Sequence, residues 1–104
     1  MTTKSSTMHF LEDLLGEPLT FGTMLISLRE SEAWSQVEMA RRLGITSQHL
    51  GQVEKGRKAV KPERAARWAR ELRHSEAHFV ALALQAQVDD AGLGMRVSVA
   101  PDSP

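Results

Sequence analysis

A chain of 104 residues can bury one core and has little left for a second. The absence of cysteine excludes disulfides, thiolate metal sites and a cysteine nucleophile, and suits a reducing cytoplasm. Thirteen Lys and Arg balance thirteen Asp and Glu, but the neutral total conceals a segregated charge.

Residues 1–33 carry Lys4 and Arg29 against five acids, net −3, and residues 75–104 carry Arg96 against four, also net −3. Between them, residues 34–74 hold ten basic residues against Glu38, Glu54, Glu63 and Glu71, net +6. The basic surplus is therefore concentrated in the middle of the chain, where contacts to phosphate would need it. Part of that surplus, Arg64, Arg67, Arg70 and Arg73, also fits the solvated face of a helix. No apolar run approaches the length that spans a bilayer, and MTTKSST at the start lacks the apolar core of a signal peptide. The expected location is the cytoplasm, in association with the nucleoid, with no membrane partner.

Residues 1–7 are polar and aperiodic and read as a disordered tail. Phe10, Leu11, Leu14 and Leu15 recur at helical spacing until Gly16 and Pro18, which predicts a short N-terminal brace helix. Thr20 can cap the next helix, where Phe21, Met24, Leu25 and Leu28 form one buried stripe. Ser35 and Glu38 have the spacing of a capping box, with Trp34 and Met39 as its hydrophobic staple. Met39, Ala40 and Leu43 then face inward until Gly44 closes the helix.

The chain restarts at once. Thr46 can cap a further helix anchored by Leu50 and Val53, with Ile45 and Leu50 as staple, and Gly56 ends it. Ser47, Gln48, His49, Gly51 and Gln52 fall on its other faces. Gly51 costs roughly 1 kcal/mol relative to alanine inside a helix, so a close neighbour is expected there. After the basic loop Lys55, Arg57, Lys58 and Lys61, Pro62 opens a helix whose inward stripe is Ala65, Trp68, Ala69 and Leu72.

Ser75 can cap a last helix, Glu76 to Ala91, with two apolar faces. Phe79, Leu82, Ala83 and Ala86 form one, and Val80, Leu84 and Val88 the other. A helix apolar on two sides must be covered on two sides, and a second copy of the chain would cover the second. Gly92 and Gly94 precede Met95, Val97 and Val99, which alternate with Arg96 and Ser98 as in a half-buried strand. With no other strand in the sequence, pairing with the same strand of a second copy is expected. The expected divisions are thus a tail at 1–7, a helical domain with its brace helix at 8–74, a dimerisation helix and strand at 75–100, and a loose end at 101–104.

Two short helices joined by a tight turn, with polar side chains along the second, have the form of a helix-turn-helix. Gln36 and Ala40 four apart, Gly44-Ile45 in the turn, Leu50 and Val53, and the exit Glu54-Lys55-Gly56 together resemble the lambda-repressor-like (Cro/CI, XRE) helix-turn-helix family. The resemblance covers about half the chain, from Thr20 to Leu72. It implies an all-α, five-helix DNA-binding domain, here with the added brace helix and C-terminal strand. It also implies that the helix after Thr46 lies in the major groove of double-stranded DNA, with Ser47, Gln48 and Gln52 contacting bases. Gln36, Thr46, His49, Lys55, Arg57 and Lys58 would contact phosphates. The chemistry agrees, since a glutamine amide can pair with adenine N6 and N7. Ser47 and Gly51 are shorter than the side chains many relatives carry, which limits their reach.

The function so implied is sequence-specific regulation of transcription, with repression of an inverted-repeat operator by a homodimer. Val80, Leu84, Val88, Met95, Val97 and Val99 would form the dimer interface. A second expectation follows from size and the strand after the helices, which resemble antitoxins of the HigA and HipB type; a toxin protein would then be a further partner. No nucleophile-base constellation indicates an enzyme, and no cofactor is expected. His74 and His78, four apart, lack a third metal ligand.

Overall fold

The computed structural model describes residues 19–102. The expected brace helix on Phe10, Leu11, Leu14 and Leu15 and the tail at 1–7 lie outside the described residues. The helices among the described residues are α1 (Phe21–Ser31), α2 (Gln36–Leu43), α3 (Ser47–Glu54), α4 (Pro62–Leu72) and α5 (Glu76–Asp90). None is long and apolar enough to cross a membrane.

The helix starts follow from side chains that satisfy otherwise orphaned backbone N–H groups. Thr20, Ser35, Thr46 and Ser75 each accept a bond from the N–H three residues on. At α1 the box is closed by Thr23, whose hydroxyl takes the Thr20 N–H at 2.8 Å. At α2 the expected box is only half made. Ser35 accepts from the Glu38 N–H at 3.1 Å, but the Glu38 carboxylate turns to Arg41 at 2.7 Å and Arg42 at 2.9 Å. Two guanidinium groups are stronger partners for a carboxylate than one exposed peptide N–H.

The inward stripes meet in one core. Trp68, Phe79, Leu25, Met39 and Leu50 are its largest fully buried side chains. Phe21 sits between Phe79, edge-on at 5.8 Å, and Trp68 at 6.2 Å, so α1 is locked between α4 and α5 by ring contacts. Leu19, Trp34 and Ile45 pack on the margin of this cluster. The Arg42 guanidinium lies 4.2 Å from the centre of the Trp34 ring, holding the entry to α2.

Two connections place a residue with a side chain in the left-handed region, Ala33 at φ 59° and Arg73 at φ 60°. That conformation costs an L-residue roughly 1–2 kcal/mol, and glycine offsets part of the gain by its freedom in the unfolded chain. Both residues are exposed. Ala33→Gly and Arg73→Gly are each expected to raise stability by about 0.5–1 kcal/mol. An unchanged or lower thermal midpoint in both variants would refute the strain.

The C-terminal expectation requires correction. No strand forms among the described residues, and the segment from Met95 to Val99 is without regular structure. A ladder needs the backbone of another strand, and the single chain offers none. Instead the buried side chain of Gln85 on α5 donates to the Met95 carbonyl at 2.8 Å and accepts from the Val97 N–H at 2.7 Å.

Candidate nucleic-acid interface

The α2–α3 turn is built from local chemistry. Gly44 adopts φ 73°, and the Ile45 N–H reaches back to the Ala40 carbonyl at 3.0 Å, so α2 ends within one residue. Thr46 then caps α3 through the His49 N–H at 3.0 Å. Leu50 and Val53 fix the inner face of α3 in the core. Ser47 and Gln48 are exposed, and Gly51 and Gln52 half-buried. Because 47 and 51, and 48 and 52, are four apart, these positions form two adjacent rows on one side of the helix. The proposed base-reading residues are thereby brought together on a short, rigid support.

What holds that support was not visible in the sequence. Glu54, the last residue of α3, is 6% exposed although charged. Its carboxylate accepts from Arg29 Nε at 2.9 Å and Nη2 at 3.3 Å, and from Gln36 Nε2 at 2.8 Å. One carboxylate therefore ties the end of α3 to α1 and to the start of α2. A bidentate, charge-assisted pair with both carboxylate oxygens engaged is the geometry in which a buried ion pair is tolerable. Gln36, expected at a phosphate, has its amide fixed by this hub. One amide N–H and the amide oxygen remain for a ligand.

The would-be neighbour of Gly51 is the same amide. A Cβ there would lie 3.8 Å from Gln36 Nε2, an ordinary contact, so the expected tight approach is not found at Gly51. It occurs at Gly22 in α1, where a Cβ would lie 2.7 Å from the Val53 carbonyl oxygen and overlap that of Glu54. Gly22 is thus the residue that lets α1 press on the end of α3.

Lys55, Arg57 and Lys58 are exposed in the loop after α3, with Lys61 just beyond. Gly56 at φ 74° turns this loop, and the Arg57 N–H bonds the Gln52 carbonyl at 2.9 Å. His49, half-buried on α3, titrates below the usual histidine range because of burial first, and then of the Lys58 and Arg64 charges. The folded form therefore favours neutral His49. Its contribution to stability is full above the unfolded histidine pKa of about 6.5 and is lost as pH falls through the lower folded value. Stability should decline on acidification below about pH 6.5. His49→Gln should remove part of that slope in denaturation measured at several pH values, and an identical slope would refute the assignment.

The residues expected at a dimer interface divide. Val80, Leu84 and Val88 run along one side of α5 and are half-buried, as are Val97 and Val99, while Met95 is exposed. Of the two histidines weighed as a metal pair, His74 stacks on Phe79 with ring centres 6.2 Å apart. No three His, Asp or Glu side chains cluster for a metal among the described residues.

The helix-turn-helix family pattern matches residues 25–78, which takes in most of α1, all of α2, α3 and α4, and the start of α5. Neither a curated protein nor a solved structure matches the chain, and the likeness to HigA- and HipB-type antitoxins gains no support from these comparisons. With more than half of its length inside that match, the chain belongs to the XRE, lambda-repressor-like helix-turn-helix family of DNA-binding regulators.

Proposed function

We propose that the protein is a sequence-specific repressor that binds an inverted-repeat operator as a homodimer. The observation that carries this reading is the juxtaposition of Gln48 and Gln52, displayed on a helix fixed at both ends, with the exposed loop Lys55, Arg57 and Lys58. Ser47, Gln48 and Gln52 contact bases. Gln36, Thr46, His49, Lys55, Arg57 and Lys58 contact phosphates, which set the register of the helix on the duplex.

One reading helix of eight residues makes few base contacts. Specific affinity at physiological salt then calls for two half-sites roughly 34 Å apart, each read by one copy. The second apolar side of α5, Val80, Leu84 and Val88, supports an interface between copies, together with Met95, Val97 and Val99. These lie outside residues 25–78, the extent of the family match; in this reading residues 8–74 bind DNA and residues 75–100 dimerise.

Selection of bound duplexes from a random library tests the reading, because a two-fold sequence is its expected outcome. Gln48→Ala should cost about 1–3 kcal/mol on the selected site and little on random DNA. Arg57→Ala should weaken both alike and flatten the dependence of affinity on salt. Equal losses on selected and random duplexes for Gln48→Ala would remove its assigned role.

A further inference from the structure

Gln85 is a buried polar residue for which the family domain has no use, lying in the part of α5 beyond residue 78. It is 8% exposed, and both polar atoms of its carboxamide are engaged. Nε2 donates to the Asp89 carboxylate at 2.8 Å and to the Met95 carbonyl at 2.8 Å, and Oε1 accepts from the Val97 N–H at 2.7 Å. A carboxamide that takes the C=O of residue i and the N–H of residue i+2 makes the two bonds a neighbouring strand would make. Burial alternates along the same run, with Arg96, Ser98 and Ala100 exposed and Val97 and Val99 half-buried. Both observations point to an extended backbone from Met95 to Ala100.

In such a backbone, successive residues direct N–H and C=O to opposite edges. Met95 and Val97 face Gln85, so Arg96 and Ser98 face away. Among the described residues no hydrogen bond reaches the backbone groups of Arg96 or Ser98. The outer edge is open, and between Met95 and Ala100 it carries no proline and a single charge, Arg96.

We propose that Gln85 acts as a stand-in strand that presents this outer edge for antiparallel pairing with the same segment of a second copy. The proposal rests on the homodimer reading given above. The segment is self-complementary. A two-fold axis through Val97 sets Val97 on Val97, Met95 on Val99 and Arg96 on Ser98; an axis through Ser98 sets Val97 on Val99 and Arg96 on Ala100. Apolar side chains meet in both, and Arg96 avoids its own copy. Only an axis through Arg96 would oppose like charges. Leu93, 56% exposed, donates its N–H to the Val88 carbonyl at 3.4 Å, and Met95 two residues on is 64% exposed, so the paired edge would begin at the end of the apolar side of α5.

The test is sedimentation equilibrium of the full chain, with amide hydrogen exchange followed by NMR. The Val97 amide should be protected at every protein concentration, because its partner is within the chain, and the Arg96 and Ser98 amides only where the dimer is populated. Ser98→Pro removes an outer-edge donor without touching the clamp, and Gln85→Ala removes the clamp. Ser98→Pro loses two bonds per dimer and should weaken dimerisation by about tenfold or more, and Gln85→Ala should weaken it by freeing the segment from α5. Far-UV circular dichroism should show the helices retained in Ser98→Pro, which keeps the test valid if Gln85→Ala fails to fold. A dimer that Ser98→Pro leaves at full strength, with the Ser98 amide of the wild-type dimer unprotected, would overturn the proposal while the homodimer stands. A wild-type chain that stays monomeric to its solubility limit would overturn both.

Discussion

Replacing Glu54 with alanine is expected to cost on the order of 3–5 kcal/mol, the range for breaking a buried pair by removing one partner. The substitution strands the groups that the carboxylate now pairs. Arg29 is 17% exposed in its side chain and would keep only the Trp34 carbonyl, at 3.4 Å, while Gln36 Nε2 would lose its acceptor. Arg29→Ala strands the other charge, since the Glu54 side chain is 3% exposed. Glu54→Gln keeps the shape and a carbonyl acceptor, so its loss should be smaller than that of Glu54→Ala. Urea denaturation measures all three, and in a domain of this size the alanine variant should melt more than about 10 °C lower. A cost under about 1 kcal/mol, the worth of a surface pair, would mean that solvent reaches the hub. The contrast with Glu38 is informative. That carboxylate is 31% exposed in its side chain, titrates below the usual range because Arg41 hydrogen-bonds it, and carries no comparable expectation.

These cases show which parts of the molecule could be read from the sequence. The four capping residues and the apolar stripes were legible because each depends on neighbours three or four positions away. Phe21, Met24, Leu25 and Leu28 on α1, and Ala65, Trp68, Ala69 and Leu72 on α4, are buried as their spacing required. The helix-turn-helix itself was legible for the same reason. Tertiary partnership was not. Glu54 and Arg29 are 25 residues apart, and nothing in the local pattern of either marks a buried pair. Gln85 lies between the two apolar faces of α5, where a polar residue would ordinarily mark solvent. The alternation from Met95 to Val99 was read correctly as a pattern and incorrectly as a formed strand, because periodicity describes one backbone and a ladder requires two. The glycine in the reading helix drew attention through its propensity cost, while the glycine that fits a steric demand lay in α1.

That difference gives the second large expectation, a pair of opposite effects from one chemical change. Gly22→Ala places a methyl group 2.7 Å from the Val53 carbonyl oxygen and 2.9 Å from the Glu54 carbonyl carbon. These are backbone atoms at the end of α3 and cannot yield as a flexible side-chain tip would. Relief requires α1 to part from α3, which would also loosen Phe21 from Trp68 and Phe79 and draw Arg29 away from Glu54. Overpacking typically costs 1–3 kcal/mol, and a clash with backbone belongs at or above the upper end, about 3 kcal/mol. Gly51→Ala meets only the Gln36 amide at 3.8 Å, in a helix interior where alanine is favoured by roughly 1 kcal/mol. It should stabilise the fold by up to that amount. Denaturation of the two variants side by side checks the pair, and equal shifts of the same sign would show that the spacing between α1 and α3 is set elsewhere. Because Gly51 sits among the proposed reading positions, its variant also separates stability from recognition. A more stable protein with weakened cognate binding would place the new methyl group against the DNA, whereas unchanged binding would leave Gln48 and Gln52 as the readers on either side of a silent position.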